Sequence, residues 1–402
     1  MPAPRQAWLT PLVLLLGVIF AAGMGLYSYA RIASPPLHPN PDAAPSVQDA
    51  SPSPRWAAAV KHSQQLVRTE LAAQDLPGLS VAVGVDGVLV WAEGFGYADV
   101  ERQTPVAPKT RFRIGHASKA LTSAAVGLLL ERGRLNLDDE IQTYVPEFPK
   151  KQWPITLRQL MGHVAGIRHY ESEADQRPTT HCERASEGLS RFANDPLRFE
   201  PETEYRYSIF GWVLVSAAVE SAAGEPFFTF MRTQVFDPLG MTGTTVDSSS
   251  ESIPDRTTFY ESGFVGMLRP VSGLDYSCFA GGGAFLSTPS DLVRFGLAIN
   301  SGTLLQPATV KRLQTAQRLS SGEENGYGLG WDLETVSIAG EPARQVGHDG
   351  EFFIGGSTSF ITFPERGIVV AVTSNISFAD TSSVALKIAQ AFAEQAKSPA
   401  RK

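Results

Sequence analysis

The order of hydrophobic patterns along the chain constrains the fold more than any other feature of the sequence. Residues 79–97 alternate between apolar and polar side chains and are divided by Asp86-Gly87, which predicts a two-stranded hairpin. Helical patterns then dominate to about residue 240, and strand patterns return between residues 327 and 374. Because strands flank a helical block, we predict an α/β fold: an antiparallel sheet flanked by helices, with an inserted helical subdomain at about 120–240.

An uncharged apolar run occupies residues 7–30, with Arg5 before it and Arg31 after it. At about 1.5 Å per residue, a helix of this length crosses a hydrocarbon core of about 30 Å. We predict a transmembrane signal anchor that leaves residues 1–6 as a cytoplasmic arm and places the rest in the periplasm or an equivalent compartment. A cleaved signal peptide and a buried core helix are the alternatives.

The remaining boundaries follow from changes in composition. Residues 31–55 are rich in Pro, Ser, Ala and Asp and are predicted to form an extended linker. A helix pattern begins near Trp56, so the folded domain is predicted at residues 56–397. Residues 398–402 are predicted to be a disordered tail.

Charge and cysteine content exclude some classes of function. The net charge of -7 argues against a general nucleic-acid binder, which needs a basic surface. The cysteines and histidines have no metal-ligand spacing, so we expect neither a metal nor another cofactor. Cys182 and Cys278 either form one disulfide in an oxidising compartment or remain two free thiols.

The segment at residues 112–122 combines an apolar helix pattern with two chemically reactive side chains. His116 and Lys119 are three residues apart and therefore share one face of a helix. Ser118 lies about 200° around the helix from His116, so its hydroxyl is predicted to point away from that face. Apolar neighbours favour a buried amine at Lys119 over a solvated surface lysine.

Several further stretches accompany this segment. They lie at residues 113–115, 133–139, 144–149, 155–160, 166–170, 207–211, 280–283 and 347–350. In this combination the chain resembles the serine beta-lactamase and penicillin-binding protein family, and within it the class C beta-lactamase relatives. The resemblance covers about residues 56–396. It implies a beta-lactamase/transpeptidase-like fold and acyl chemistry on a peptide-like, ester or beta-lactam ligand.

The resemblance also implies roles for individual residues. In that family a serine attacks a carbonyl carbon while a lysine three residues later accepts its proton. His116 stands in the place of the serine, and Lys119 keeps the place of the base. Tyr207 matches a tyrosine that relays the leaving-group proton, with a packed core tyrosine as the alternative. Ile209 replaces an asparagine that binds the substrate amide, which an aliphatic side chain cannot do.

The stretch His348-Asp349-Gly350 matches a family motif on an edge strand. The resemblance implies that His348 meets a substrate carboxylate, and a structural role is the alternative. Gly350 would let the substrate backbone approach and pair with the strand. Backbone N–H groups of His116 and Glu351 would form the oxyanion hole.

Three other histidines are given structural roles. His163 matches a family loop that supports the site, so we expect it to act in structure rather than in catalysis. His169 and His181 are expected to face solvent. No pair of histidines has the helical spacing typical of a metal site.

Two functions remain open at this point. One is a membrane-anchored hydrolase acting on peptide, ester or beta-lactam acyl groups, with its chemistry impaired because His116 replaces the nucleophile. The other is a non-catalytic protein that binds a peptide or a partner in the former active-site groove.

Overall fold

The computed structural model describes residues 16–17, 20, 23–24, 35–49, 51–249, 252–263, 267–352 and 354–397. The predicted arm at 1–6, most of the predicted anchor at 7–30 and the predicted tail at 398–402 lie outside the described residues. Within the described residues, no helix is both long enough and apolar enough to cross a membrane.

The strands are numbered β1 to β13 in chain order. They are Ser46–Gln48, Gly78–Val85, Val88–Asp99, Thr104–Pro105, Phe112–Arg113, Thr245–Val246, Phe259–Ser262, Leu268–Val271, Phe285–Ser287, Asp332–Ile338, Glu341–Phe352, Gly356–Phe363 and Ile368–Ser374.

The α-helices are numbered α1 to α9 in the same way. They are Ala57–Ala73, Ser118–Glu131, Leu157–Met161, Glu173–Gln176, Ile209–Ala223, Phe227–Met231, Pro289–Ser301, Pro307–Leu313 and Thr381–Lys397.

One large sheet contains strands from both the N-terminal and the C-terminal parts of the domain. Its strand order is β1-β3-β2-β13-β12-β11-β10, with β4 paired to β3, and all of these pairings are antiparallel. The N-terminal hairpin turns at Asp86-Gly87, as the sequence predicts, and β2 pairs directly with β13. The predicted antiparallel sheet flanked by helices is therefore confirmed.

Helices cover both faces of this sheet. Successive residues of a strand point to opposite sides, so each face contributes apolar side chains to a different cluster. In β12, Phe360 belongs to the apolar cluster that includes α2, α5 and α7, whereas the next residue, Ile361, belongs to the cluster under α1 and α9. The helix α7 begins after Thr288, whose side chain accepts a hydrogen bond from the Asp291 backbone N–H. The site lies on the α2 and α5 side.

Part of the segment predicted as an extended linker, residues 31–55, is packed against the domain. Strand β1 pairs with the edge of β3, and the His38 side chain is buried with its Nε2 atom 3.0 Å from the Leu76 carbonyl oxygen. The packed structure therefore begins before residue 56. Composition did not reveal this because backbone pairing at a sheet edge requires no apolar side chain.

Cys182 and Cys278 form a disulfide, with their Cα atoms 4.9 Å apart and 96 positions apart in sequence. This resolves the two alternatives left by the sequence in favour of the pair. The bond ties the segment before the 3-10 helix at Ala185–Arg191 to the 3-10 segment Ser277–Gly282. Disulfides form and persist in oxidising compartments.

Candidate active site

The start of α2 forms the centre of the candidate site. A 3-10 turn at Gly115–Ala117 leads directly into the helix, and Gly115 adopts a φ of 51°, a conformation that favours glycine. This turn leaves His116 partly exposed and Lys119 fully buried. Strand β11 packs against the turn at Gly350, where a Cβ atom would lie 1.9 Å from the Ile114 carbonyl oxygen.

The Lys119 amine is held by two oxygen atoms. It donates to Tyr207 Oη at 2.7 Å and to the Gly282 carbonyl at 3.1 Å. Burial holds the pKa of Lys119 well below its usual value, and the Asp332 carboxylate opposes this only in part. A lowered pKa increases the fraction of neutral amine, which is the form that can accept a proton as a general base does.

Tyr207 lies directly before α5 and is partly buried. Burial raises its pKa well above the ordinary value of a phenol, so the hydroxyl is neutral. The Lys119 Nζ atom is also 4.6 Å from the centre of the Tyr207 ring. The pair thus forms one hydrogen-bonded unit, although the two residues are 88 positions apart.

His116 lies beside this unit. Its ring centre is 5.2 Å from that of Tyr207 and 6.2 Å from that of His169. Burial holds the pKa of His116 well below its ordinary value, so the imidazole is neutral at physiological pH. The site therefore combines an amine of lowered pKa, a neutral phenol and a neutral imidazole.

Two histidines hold the start of α5 in place. The Nδ1 atom of His163 accepts a hydrogen bond from the Ser208 backbone N–H at 3.1 Å, and that of His169 accepts one from Ile209 at 3.3 Å. The structural role expected for His163 agrees with this contact. The solvent-facing position expected for His169 is wrong, because its ring stands edge-on to Tyr207 at 5.6 Å.

His348 is buried and uses both ring nitrogens within the protein. Its Nδ1 donates to the Asp349 carbonyl at 2.6 Å, and its Nε2 accepts from the Tyr327 hydroxyl at 2.9 Å. Burial lowers its pKa to about 3. The imidazole is therefore neutral above that pH, in contrast to the cationic carboxylate-binding group that the family resemblance implies.

Sequence reasoning missed Tyr327 and Asp332. The strand pattern that begins at residue 327 includes both residues, but the chain turns between them, and the two residues form an antiparallel bridge. Gly328 and Gly330 could have revealed this turn, since glycines inside a strand pattern often mark an interruption of the strand. Gly330, at a φ of 95°, lets this turn pack on the Lys119 carbonyl and Trp212.

The other predicted binding residues occupy different positions. Ile209 is fully buried at the first position of α5, next to Gly282. Asp349 is exposed, and strand alternation places it on the opposite face of β11 from His348 and Gly350. The backbone of Glu351 lies in β11 opposite Ser357.

Ser118 does not take part in the hydrogen bonding around Lys119. Its side chain is fully buried, and its Oγ atom has no hydrogen-bond partner among the described residues. That its hydroxyl points away from the face of His116 and Lys119 stays a prediction. Over the described ranges, no group of three or more His, Cys, Asp or Glu side chains is arranged to hold a metal ion.

We expect the protein to lose stability as the pH falls from about 6.5 towards 4. Burial lowers the pKa of His169 to about 4 and that of His348 to about 3, and it also depresses the pKa values of His116 and His163. Histidines in the unfolded chain titrate near 6.5, so in this window the unfolded state binds more protons. Each such histidine then lowers the free energy of unfolding by up to about 1.4 kcal/mol per pH unit.

Urea denaturation at a series of pH values measures this slope. His169→Asn is the matched variant, because its amide oxygen can still accept the Ile209 N–H. This variant should show a shallower slope between pH 6 and pH 4. A native protein whose stability did not change over this range would contradict the buried, neutral state of the histidines.

Comparisons with known proteins give one consistent result. The sequence profile of the family described as Beta-lactamase matches residues 63–395. The serine beta-lactamase-like protein LACTB, mitochondrial, of Bos taurus is 30% identical over 445 residues, covering 84% of this chain and 80% of that protein. Penicillin-binding protein 4* of Bacillus subtilis (strain 168) is 28% identical over 330 residues, covering 78% of this chain and 71% of that protein.

Solved structures share the fold. The octameric penicillin-binding protein homologue from Pyrococcus abyssi has a TM-score of 0.70 at 24% identity, covering 81% of this chain and 76% of that chain. The D-amino acid amidase from Ochrobactrum anthropi SV3, complexed with L-phenylalanine amide, has a TM-score of 0.67 at 23% identity, covering 84% and 97%.

Proposed function

The chain belongs to the beta-lactamase family, and from this premise we propose that it is a serine-hydrolase-type protein whose acyl chemistry is lost or strongly impaired. The proposal depends on the surroundings of Lys119. Its amine, whose pKa is lowered by burial, donates hydrogen bonds to Tyr207 and to a carbonyl, and the side chain at the family's nucleophile position is the imidazole of His116. A base and a proton relay are present without the hydroxyl that they would serve.

The side chains of the site differ in the chemistry that they can perform. Lys119 can take a proton from a group bound beside it, and Tyr207 can pass that proton to a leaving group. His116 offers a ring nitrogen in place of an alcohol. A nitrogen whose pKa is held low by burial is a weak nucleophile, so attack by His116 on an unactivated amide or ester would be slow.

Ligand binding in the former active-site groove is the second candidate function. Backbone donors do not depend on the side chain at position 116, so a carbonyl group could still be held there. The packing of β11 on the turn before α2 supports this reading, because it keeps the two predicted donor segments together. A peptide-like, ester or beta-lactam ligand, or a segment of a partner protein, would then bind without turnover.

We expect Lys119→Met to leave the rate of p-nitrophenyl ester hydrolysis by the protein essentially unchanged. Methionine fills a similar apolar volume, and an amine without a nucleophile to deprotonate contributes little to the rate. Steady-state hydrolysis of p-nitrophenyl acetate by the two purified proteins is the measurement. A fall of about 100-fold or more in the variant would contradict the proposal, since Lys119 would then serve an active nucleophile.

We also propose that the domain is anchored through residues 7–30 and lies outside the cytoplasm. The apolar run and the disulfide between Cys182 and Cys278 support this location. The test fuses a reporter enzyme after Lys402 and expresses the fusion in a bacterial host. A reporter that is active only in the export compartment should be active in this fusion. Activity of a matched reporter that works only in the cytoplasm would overturn the topology.

A further inference from the structure

One carboxylate faces the candidate site without a cationic partner. Asp332 stands beside Tyr327 as its bridge partner, and its Oδ2 atom is 3.7 Å from His348 Nδ1. Its carboxylate also accepts the Asp349 backbone N–H. Within the described part of the chain, no lysine or arginine forms an ion pair with it, and its side chain is 43% exposed.

The other groups around the site offset this charge only in part. Burial lowers the pKa of Lys119 and the pKa values of the four histidines, which reduces the positive charge that these groups carry. Two arginines close to Tyr207 in sequence or across the start of α5 form other ion pairs: Arg168 pairs with Asp175 and Asp195, and Arg206 pairs with Glu204. The Asp332 carboxylate therefore leaves a negative charge at the edge of the site.

Aromatic rings lie near this charge. Tyr205 is 38% exposed, and its ring centre is 6.1 Å from that of Tyr327 and 6.1 Å from that of His163. Tyr207 continues this surface, with its ring 4.2 Å from His163. Faces of tyrosine rings attract cations, and a nearby carboxylate adds to that attraction.

From this arrangement we infer that the site selects ligands bearing a cationic amine or ammonium group, which binds between Asp332 and Tyr205 while the ligand's carbonyl lies towards His116. The inference rests on the proposed function in that both place the ligand beside Lys119 and Tyr207. The family resemblance implies instead that His348 binds a substrate carboxylate. A neutral His348 beside the Asp332 carboxylate does not favour an anionic ligand.

Charge selection can be isolated with two probes of nearly the same shape. Acetylcholine carries a trimethylammonium group, and 3,3-dimethylbutyl acetate carries a neutral tert-butyl group in its place. Ligand-observed NMR titration follows the nine-proton methyl signal of each probe and requires no turnover. We expect native protein to bind the cationic probe about tenfold more tightly than the neutral one at pH 7.5.

Asp332→Asn should remove this preference, because its amide oxygen can still accept the Asp349 N–H but carries no charge. Glu334→Gln is the matched control: it removes an exposed carboxylate two residues further along the same strand and should leave the preference intact. In native protein the preference should also weaken below pH 6, since partial burial raises the pKa of Asp332 to about 6.

Equal affinity for the two probes, no binding of either at millimolar concentration, or an unchanged preference in Asp332→Asn would overturn the inference. An equal loss in Glu334→Gln would do the same, because the preference would then reflect surface charge in general. Failure of acyl chemistry does not affect these measurements, so the outcome is separate from that of the proposed function.

Discussion

Replacing His116 with serine should convert the protein into one that forms a covalent adduct with fluorescent penicillin or a fluorophosphonate. The variant regains a hydroxyl three residues before Lys119, whose amine has a lowered pKa and already donates to Tyr207. Loss of the nucleophile in serine hydrolases typically removes a factor of about 10⁴ or more from the rate. Because this site has not been optimised for a serine, we expect a smaller gain, of about 100-fold in labelling rate.

Two controls make this result specific. His116→Ala opens the same space without adding a hydroxyl and should remain unlabelled. The double variant His116→Ser, Lys119→Met keeps the hydroxyl but removes its base, so it should lose most of the gain. Labelling of His116→Ala to the same extent as His116→Ser would show that the reactive group lies elsewhere.

The second large effect concerns stability. Gly350→Ala should lower the free energy of unfolding by about 3 kcal/mol or more, or prevent folding. The added Cβ atom would lie 1.9 Å from the Ile114 carbonyl oxygen. The backbone fixes the position of a Cβ atom, and the carbonyl is itself backbone, so neither atom can rotate away. Strand β11 would have to move from the turn that carries His116. Urea denaturation followed by tryptophan fluorescence measures the change.

Gly211→Ala is the matched control for this substitution. Gly211 is also buried, but its Cβ atom would lie 3.6 Å from the closest neighbouring atom, the Leu160 carbonyl oxygen, which is an ordinary contact. Alanine favours a helix over glycine by about 1 kcal/mol, so this variant should be at least as stable as the native protein. Similar stability of the two variants would contradict the close packing of β11 on α2.

Local sequence patterns predicted those helices and strands whose formation depends on neighbouring residues alone. Alternation and the Asp86-Gly87 turn predicted the β2–β3 hairpin, and the apolar run after Lys119 predicted α2. The pairing of β1 with β3 was not predictable in this way, because it depends on backbone hydrogen bonds at a sheet edge.

The candidate site also has features that the sequence could predict and features that it could not. Helical spacing alone placed His116 and Lys119 on one face, but the contact between Lys119 and Tyr207 could be expected only from the family resemblance. His169 looked like a surface residue because no sequence pattern reports its edge-on contact with the Tyr207 ring. The neutral state of His348 depends mainly on burial, which no motif encodes.

Intact-mass spectrometry of the unmodified protein after incubation with a fluorophosphonate or a penicillin tests the central claim most directly. The account predicts no stable acyl or phosphonyl adduct, because the imidazole of His116 stands beside Lys119 and the Ser118 hydroxyl takes no part in the hydrogen bonding there. A stoichiometric adduct that peptide mapping assigns to Ser118 or to His116 would contradict it, since either residue would then be a working nucleophile.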